Sequence, residues 1–82
     1  MLREYVRAAM EKAQYEIIDD PEPYYGEIPE CPGVYANEDT LERCRRGLQE
    51  VLEDWILFRI HKQAPIPEID GVKLEVRKLE AA

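Results

Sequence analysis

The chain has 82 residues, of which 45% are hydrophobic and 35% charged, and its 18 Asp and Glu against 11 Lys and Arg give a net charge of −7. This length suits one small domain with one core, so we expect a single domain over residues 1–82. The acidic balance argues against direct nucleic-acid binding by this chain alone, which needs a basic face to displace counterions from phosphate, and it favours a basic partner.

The expected environment follows from the two cysteines and the N-terminal residues. Cys31 and Cys44 form no C-x-x-C pair and have no histidine nearby to complete a zinc set. Charges at Arg3, Glu4 and Arg7 interrupt any signal-peptide core, and the sequence has no apolar run long enough for a membrane span. We therefore expect a cytoplasmic protein with reduced thiols, no cofactor and no membrane contact, and a Cys31–Cys44 bridge is the less favoured alternative.

The first predicted element is an amphipathic helix over residues 2–13 that lies against a sheet. Its apolar stripe, with spacings of three and four, consists of Leu2, Tyr5, Val6, Ala9, Met10 and Ala13. Residues 14–18 then alternate between apolar and polar side chains, which predicts a strand with Tyr15 and Ile17 on a buried face.

Two further strands are predicted after turns. The segment 19–23 contains two prolines and two aspartates, which predicts the connection to a second strand over 24–28. Gly26 in that strand indicates a bulge or a close approach of another group. A sharp turn framed by prolines and a glycine then leads to a short third strand over 34–36. The residues of this turn motif are Ile28, Pro29, Pro32 and Gly33.

A long helix dominates the second half of the sequence. Asp39, followed three residues later by Glu42, predicts a capping box at its start, and no proline interrupts the segment up to about Gln63. Its predicted apolar face consists of Leu41, Cys44, Leu48, Val51, Leu52, Trp55 and Phe58. Beyond it, Val72, Leu74 and Val76 alternate with charged residues and predict a last strand.

These elements predict an α+β fold of two layers, with an antiparallel hairpin sheet of three or four strands and both helices on one face. The segment "WILFRI" adds apolar residues around the rest of the long helix, and a helix that is apolar nearly all round needs cover on every side. We therefore expect a homodimer or higher oligomer that uses Trp55, Ile56, Leu57 and Ile60. The alternative is that the N-terminal helix and the proline-rich exit cover them within one chain.

The stretch "YEIIDDPEPYYGEIPECPGVYANEDTLERCRRGLQEVLEDWI", and above all Ile28-Pro29-x-x-Pro32-Gly33 followed by Asp39-Thr40, resembles the HicB-type antitoxin domain. The resemblance runs from about residue 15 to 67, with a family core over about 15–77 to which the N-terminal helix is an addition. It implies a degraded ribonuclease-H-like fold and a non-enzymatic protein that neutralises a small basic RNA-cleaving toxin of HicA type by binding it. The sequence ends at "RKLEAA", so we expect a single-domain member without the C-terminal DNA-binding domain that many such antitoxins carry.

Several carboxylates are candidates for two different functions. Asp19, Asp20, Glu22 and Glu30 are the expected contacts to a basic partner. The alternative function is a divergent metal-dependent nuclease or small hydrolase, for which these residues with Glu27, Glu38 and Asp39 would supply the ligands. Turn formation and helix capping account for most of these acids, so we favour binding.

Three side chains remain as candidates for catalysis. Cys31 has carboxylate and proline neighbours, which do not activate a thiol, so we interpret it as a small buried apolar residue. Cys44 falls on the apolar face of the long helix and is expected in the core. His61 lies near the end of that helix, where the helix dipole favours a positive charge, so we assign it no catalytic role.

Overall fold

The computed structural model describes residues 2–74 and confirms the predicted α+β class. Helix α1 (Leu2–Glu11) is followed by strands β1 (Gln14–Ile17), β2 (Tyr24–Glu27) and β3 (Tyr35–Glu38), and then by helix α2 (Leu41–His61). The strands form one antiparallel sheet in the order β1-β2-β3, built from two successive hairpins. Each of the five elements lies within a few residues of its predicted position.

The predicted last strand is not a strand in the part of the chain that the structure describes. Val72 forms only an isolated bridge with Ile69, across a tight turn in which Asp70 and Gly71 have positive φ angles of 49° and 77°. Val76 lies outside the described residues. The sheet therefore has three strands within residues 2–74, and no fourth strand lies beside β1 there.

Helix α2 is much longer than the sheet on which it packs. Its 21 residues extend about 31 Å, whereas a strand of four residues extends only about 13 Å. Cys44 and Gly47, in the N-terminal half of α2, lie against β2 and β3, so the C-terminal half extends past the sheet. The apolar side chains of α2 that lie beyond the sheet must therefore be buried by other segments of the chain.

Helix α1 supplies part of that cover, which corrects its predicted position against the sheet. It contacts α2 and none of the strands. Its buried Tyr5 reaches across the core, where the Tyr5 hydroxyl donates a hydrogen bond to the Pro67 carbonyl oxygen at 2.6 Å. This bond joins the N-terminal helix to the proline-rich segment after α2, so both ends of the described chain close over the projecting half of α2.

The buried row on α2 differs from the predicted stripe. The fully buried residues lie four positions apart, and the row therefore turns about 40° per step around the helix, from the sheet side towards α1. These residues are Cys44, Leu48, Leu52 and Ile56. Leu41 and Phe58 of the predicted stripe are exposed instead, and Val51 and Trp55 are half-buried. Ile56, which we expected to mediate self-association, is 1% exposed and belongs to the core.

Strand β1 is also not as predicted, because no face of it is buried. All four of its residues are exposed, and Ile17 is 75% exposed. The cause is the lateral position of α2, whose backbone runs close to β3 and β2 and not to β1, although its Cys44 side chain and the Tyr15 ring approach each other over Gly26. The alternation of Tyr15 and Ile17 indicated the strand correctly, but it did not indicate which strand the helix would cover.

The motif between β2 and β3 forms two consecutive turns. The Cys31 amide donates to the Ile28 carbonyl at 2.9 Å, and the Val34 amide donates to the Cys31 carbonyl at 3.0 Å. Pro29 and Pro32 each follow the first residue of a turn, where a fixed φ is favourable. Gly33, with φ of 98°, takes the next position of the second turn, which requires a residue that adopts positive φ. The side chains of Ile28, Cys31 and Val34 point into the core.

Gly26 lies where two elements approach the middle of the sheet most closely. A Cβ atom at this position would be 2.8 Å from two ring carbons of Tyr15 and 3.2 Å from the Cys44 sulfur. The strand register continues without interruption through Gly26, so close packing and not a bulge explains the glycine.

The start of α2 corrects the predicted capping box by one residue. Thr40, in extended conformation, is the N-cap, and its hydroxyl accepts a hydrogen bond from the Arg43 amide at 3.1 Å. Asp39 lies one residue earlier and pairs with the Arg43 guanidinium at 3.1 Å. Glu42 lies in the first helical turn, where its charge suits the helix dipole, but it does not occupy the position from which a reciprocal cap is made.

We predict that Gly26→Ala lowers the free energy of unfolding by about 1–3 kcal/mol, because the new methyl group overlaps the Tyr15 ring. Gly47→Ala is the matched control, since the nearest atom to its new Cβ is the Ala36 methyl at an ordinary 3.8 Å. That helical substitution is expected to stabilise by about 0.5–1 kcal/mol. Urea denaturation measures both, and equal effects of the two substitutions would contradict the close approach at Gly26.

We also predict that Thr40→Ala costs about 1 kcal/mol of stability, because it removes the cap bond to the Arg43 amide. Asp39→Ala should cost less than about 0.5 kcal/mol, since it removes only an exposed ion pair. Thermal unfolding at low and high salt separates the two effects. A larger loss for Asp39→Ala than for Thr40→Ala would restore Asp39 as the cap.

Candidate interaction surface

The turn between β1 and β2, which we expected to contact a basic partner, is an exposed acidic feature. We call Asp19, Asp20 and Glu22 the acidic tip, and all three residues are exposed. The turn is ordered by hydrogen bonds, because the Ile18 amide donates to the Pro23 carbonyl at 2.8 Å and the Glu22 amide donates to an Asp20 carboxylate oxygen at 2.9 Å. Among the described residues no Lys or Arg forms an ion pair with the acidic tip. Its charge is therefore uncompensated within residues 2–74.

The fourth predicted contact residue, Glu30, does not belong to the acidic tip. It lies in the turn between β2 and β3, which is at the opposite end of the sheet. Its charge contributes to raising the pKa of Lys12, although the direct ion pair of Lys12 with Asp70 at 2.9 Å is the larger cause. Glu30 therefore lies in a region that already contains a positive charge, and the structure separates it from the other three acids.

A second exposed feature, not predicted from the sequence, is the uncovered strand β1. Antiparallel partners point to the same side of a sheet, so Tyr15 lies on the side of Gly26 and Ala36, towards α2. The Tyr15 ring packs against Gly26, and its partial burial raises the pKa of the Tyr15 phenol. Ile17 lies on the same side and has no helix over it. Two apolar side chains thus remain exposed beside a strand edge that pairs with no other strand of residues 2–74.

A groove of about 560 Å³ runs between α1 and α2, and a second hollow of about 320 Å³ lies next to it. The groove is lined by apolar Leu2, Val6 and Leu57, together with polar residues of both helices. The second hollow is lined by the arginines Arg3, Arg7 and Arg45, with Met10, Glu11 and other residues. Its arginines make this side of the molecule locally basic although the chain is acidic.

The predicted self-association patch at the end of α2 is mostly used within the chain. Trp55 donates a hydrogen bond from its indole nitrogen to the Pro32 carbonyl at 3.1 Å, and the Arg59 guanidinium lies 4.5 Å from its ring. Ile60 is half-buried and packs against the core. Leu57 is the remaining exposed member of the patch at 60%, and Phe58 beside it is 61% exposed.

Neither cysteine has the surroundings of a nucleophile. Both are buried and unbridged. Burial raises the pKa of the Cys31 thiol, and burial followed by the Glu38 carboxylate raises the pKa of the Cys44 thiol, so both are kept protonated. The Tyr5 hydroxyl lies 4.0 Å from the Cys31 sulfur, and burial raises the Tyr5 pKa above its ordinary value. His61, the last residue of α2, is exposed.

The alternative of a metal-dependent hydrolase finds no ligand set in the described part of the chain. No three His, Cys, Asp or Glu side chains of residues 2–74 are arranged so that they could hold a metal ion. The acids proposed for such a site are divided between the two ends of the sheet. No helix within residues 2–74 is both long and apolar enough to cross a bilayer.

We predict that the free energy of unfolding falls as pH rises from about 8 to 9.5. A thiol in the unfolded chain ionises near pH 8.5, whereas burial raises the pKa of folded Cys31, which therefore releases its proton at higher pH. The unfolded state therefore loses protons first and is favoured as pH rises through this window. Denaturation at each pH is expected to give a shallower decrease for Cys31→Ala than for the parent chain, and identical slopes would contradict the assignment.

Comparisons with known proteins identify a family and a structural relative. The crystal structure of TTHA0281 from Thermus thermophilus superposes with a TM-score of 0.90 and 44% sequence identity, over 94% of this chain and 95% of that one. No curated protein matches the chain. The model of the family described as UPF0150-like matches residues 4–67, which include most of α1. This match covers most of the chain, so the chain belongs to the UPF0150-like family.

Proposed function

We propose that this protein is an antitoxin-like interaction domain that binds and neutralises a small basic RNA-cleaving toxin of HicA type. The observation that carries the proposal is the acidic tip, where three exposed carboxylates have no Lys or Arg partner among the described residues. An uncompensated negative site of this kind accelerates and orients association with a basic protein. Glu30 is left out of the contact, because it lies at the other end of the sheet.

The resemblance of residues 15–67 to HicB-type antitoxins supports the same function independently of charge. It adds a degraded ribonuclease-H-like origin of the fold and a cytoplasmic site of action to the proposal. The order of the elements, with a hairpin sheet followed by a long helix, is compatible with that origin. The buried and protonated thiols provide no support for the alternative of a hydrolase.

The experiment is co-expression with a tagged small basic toxin of HicA type. We expect a stoichiometric complex and protection of the host cells from growth arrest. The triple substitution Asp19→Lys, Asp20→Lys and Glu22→Lys should weaken the complex by at least tenfold. Isothermal titration should show weaker binding of the parent chain as salt concentration rises, because exposed charges are screened.

A matched control carries the same change of net charge elsewhere. Glu30→Lys, Glu50→Lys and Asp54→Lys alter three exposed acids outside the acidic tip and should leave toxin binding within about threefold, as expected for weak long-range charge effects. An equal loss in both triple variants would show that only net charge matters. Absence of a complex, or magnesium- or manganese-dependent RNA cleavage by the isolated chain, would overturn the proposed function.

A further inference from the structure

Strand β1 has a free edge whose hydrogen-bonding groups can be assigned. The Ile18 amide donates to Pro23 across the hairpin, and along an antiparallel pair the hydrogen-bonded positions alternate. Gln14, Glu16 and Ile18 therefore direct their backbone groups towards β2. The N–H and C=O groups of Tyr15 and Ile17 point away from the sheet, where no other strand among residues 2–74 meets them.

Three features that normally protect an exposed edge are missing from β1, which has no proline, no lysine and no bulge, and its register with β2 is regular. What protection it has comes from its short length of four residues and the charge of Glu16. Its side towards α2 carries the exposed apolar pair Tyr15 and Ile17. The other edge, β3, differs because α2 covers its helix side. β1 thus combines free backbone groups with uncovered apolar side chains, which is the combination that strand addition uses.

We propose that a second copy of this chain pairs with this edge, β1 against β1, in antiparallel orientation about a two-fold axis. The strands described for residues 2–74 of the two copies then form one continuous sheet of six strands, with the helices of both copies on one side. The two-fold axis passes next to Tyr15, so that Tyr15 of one copy lies opposite Tyr15 of the other. This self-association goes beyond the proposed binding of a basic protein and does not depend on it.

Charge and side-chain direction select this register. With Tyr15 opposite Tyr15, Gln14 of one copy faces Glu16 of the other, and a Gln amide can donate to a carboxylate. A shift of the pairing that places Glu16 opposite Glu16 puts like charges together, which is destabilising. A pairing of Tyr15 with Glu16 would place the apolar side chains of the two copies on opposite faces.

The same register covers the apolar side chains that α2 leaves exposed. Ile17 of one copy lies opposite Ala13 and diagonal to Tyr15 of the other, at a separation of about 7–8 Å that aromatic side chains can bridge. Since each copy carries a net charge of −7, long-range repulsion opposes the pairing, and added salt should strengthen it. This is opposite to the salt dependence expected for a basic partner.

Sedimentation equilibrium of the full chain tests the surface. We expect a dimer for the parent chain at micromolar concentration, and a dissociation constant at least tenfold higher for Ile17→Lys. Ile17 is 75% exposed, so this substitution should not affect folding, which circular dichroism checks. Leu57→Lys is the matched control at a 60% exposed apolar residue on α2 and should leave the dimer unchanged. A monomeric parent chain, or dissociation by Leu57→Lys alone, overturns the proposal.

Cysteine cross-linking tests the register, in a Cys44→Ala background because the Cys44 sulfur lies close to Gly26 on the Tyr15 side of the sheet. Tyr15→Cys should form a dimer disulfide under mild oxidation, since directly opposed residues have Cα atoms about 5.5 Å apart, which a disulfide spans. Glu16→Cys should not, because its two copies would be diagonal and about 7–8 Å apart. The reverse result overturns the register. Toxin binding is measured separately, so either proposal can fail without the other.

Discussion

The arrangement of this domain depends on the difference in length between one long helix and three short strands. Strands of four residues support less than half of the 21-residue α2, so the helix must bury its second half against something else. Tyr5 of α1 meets that need by reaching Cys31 in the turn after β2 and the Pro67 carbonyl beyond α2. The buried residues of α2 therefore form a row that runs along the helix from the sheet side to the α1 side. The sheet buries one end of this row, and α1 buries the other.

The close approach of α2 to the middle of the sheet also determines which strand remains uncovered. Gly26 lets the Cys44 sulfur and the Tyr15 ring meet above β2, and the Cys44 thiol donates to the Ala36 carbonyl of β3 at 3.5 Å. A helix held over β2 and β3 in this way cannot also cover β1, since one helix is about 10 Å wide and strands are about 4.8 Å apart. The exposure of Ile17 is a consequence of the same contact that anchors α2.

Local pattern predicted the fold class and the elements well, because helical spacing, strand alternation and proline or glycine turns are set by neighbouring residues. It did not predict which neighbour covers each apolar face. Alternation placed Tyr15 and Ile17 on one face but gave no information on the lateral position of α2. Crowding of apolar residues suggested a second subunit for Ile56, whereas α1 covers it. Asp39 and Thr40 are both good caps, and the choice depends on the path of the chain out of β3, which only the tertiary structure defines.

The two candidate surfaces share one hairpin, and antiparallel pairing fixes their relation. The acidic tip follows β1 directly, so a two-fold axis at Tyr15 sends the tips of two copies to opposite ends of the joined sheet. Neither tip is then buried by dimerisation, and the strong repulsion between two clusters of three carboxylates is avoided by their separation. A basic partner would meet two equivalent and independent sites, and it would gain avidity only if it were itself linked in pairs with a matching span. Self-association through β1 and recognition through the tip are therefore compatible in one assembly.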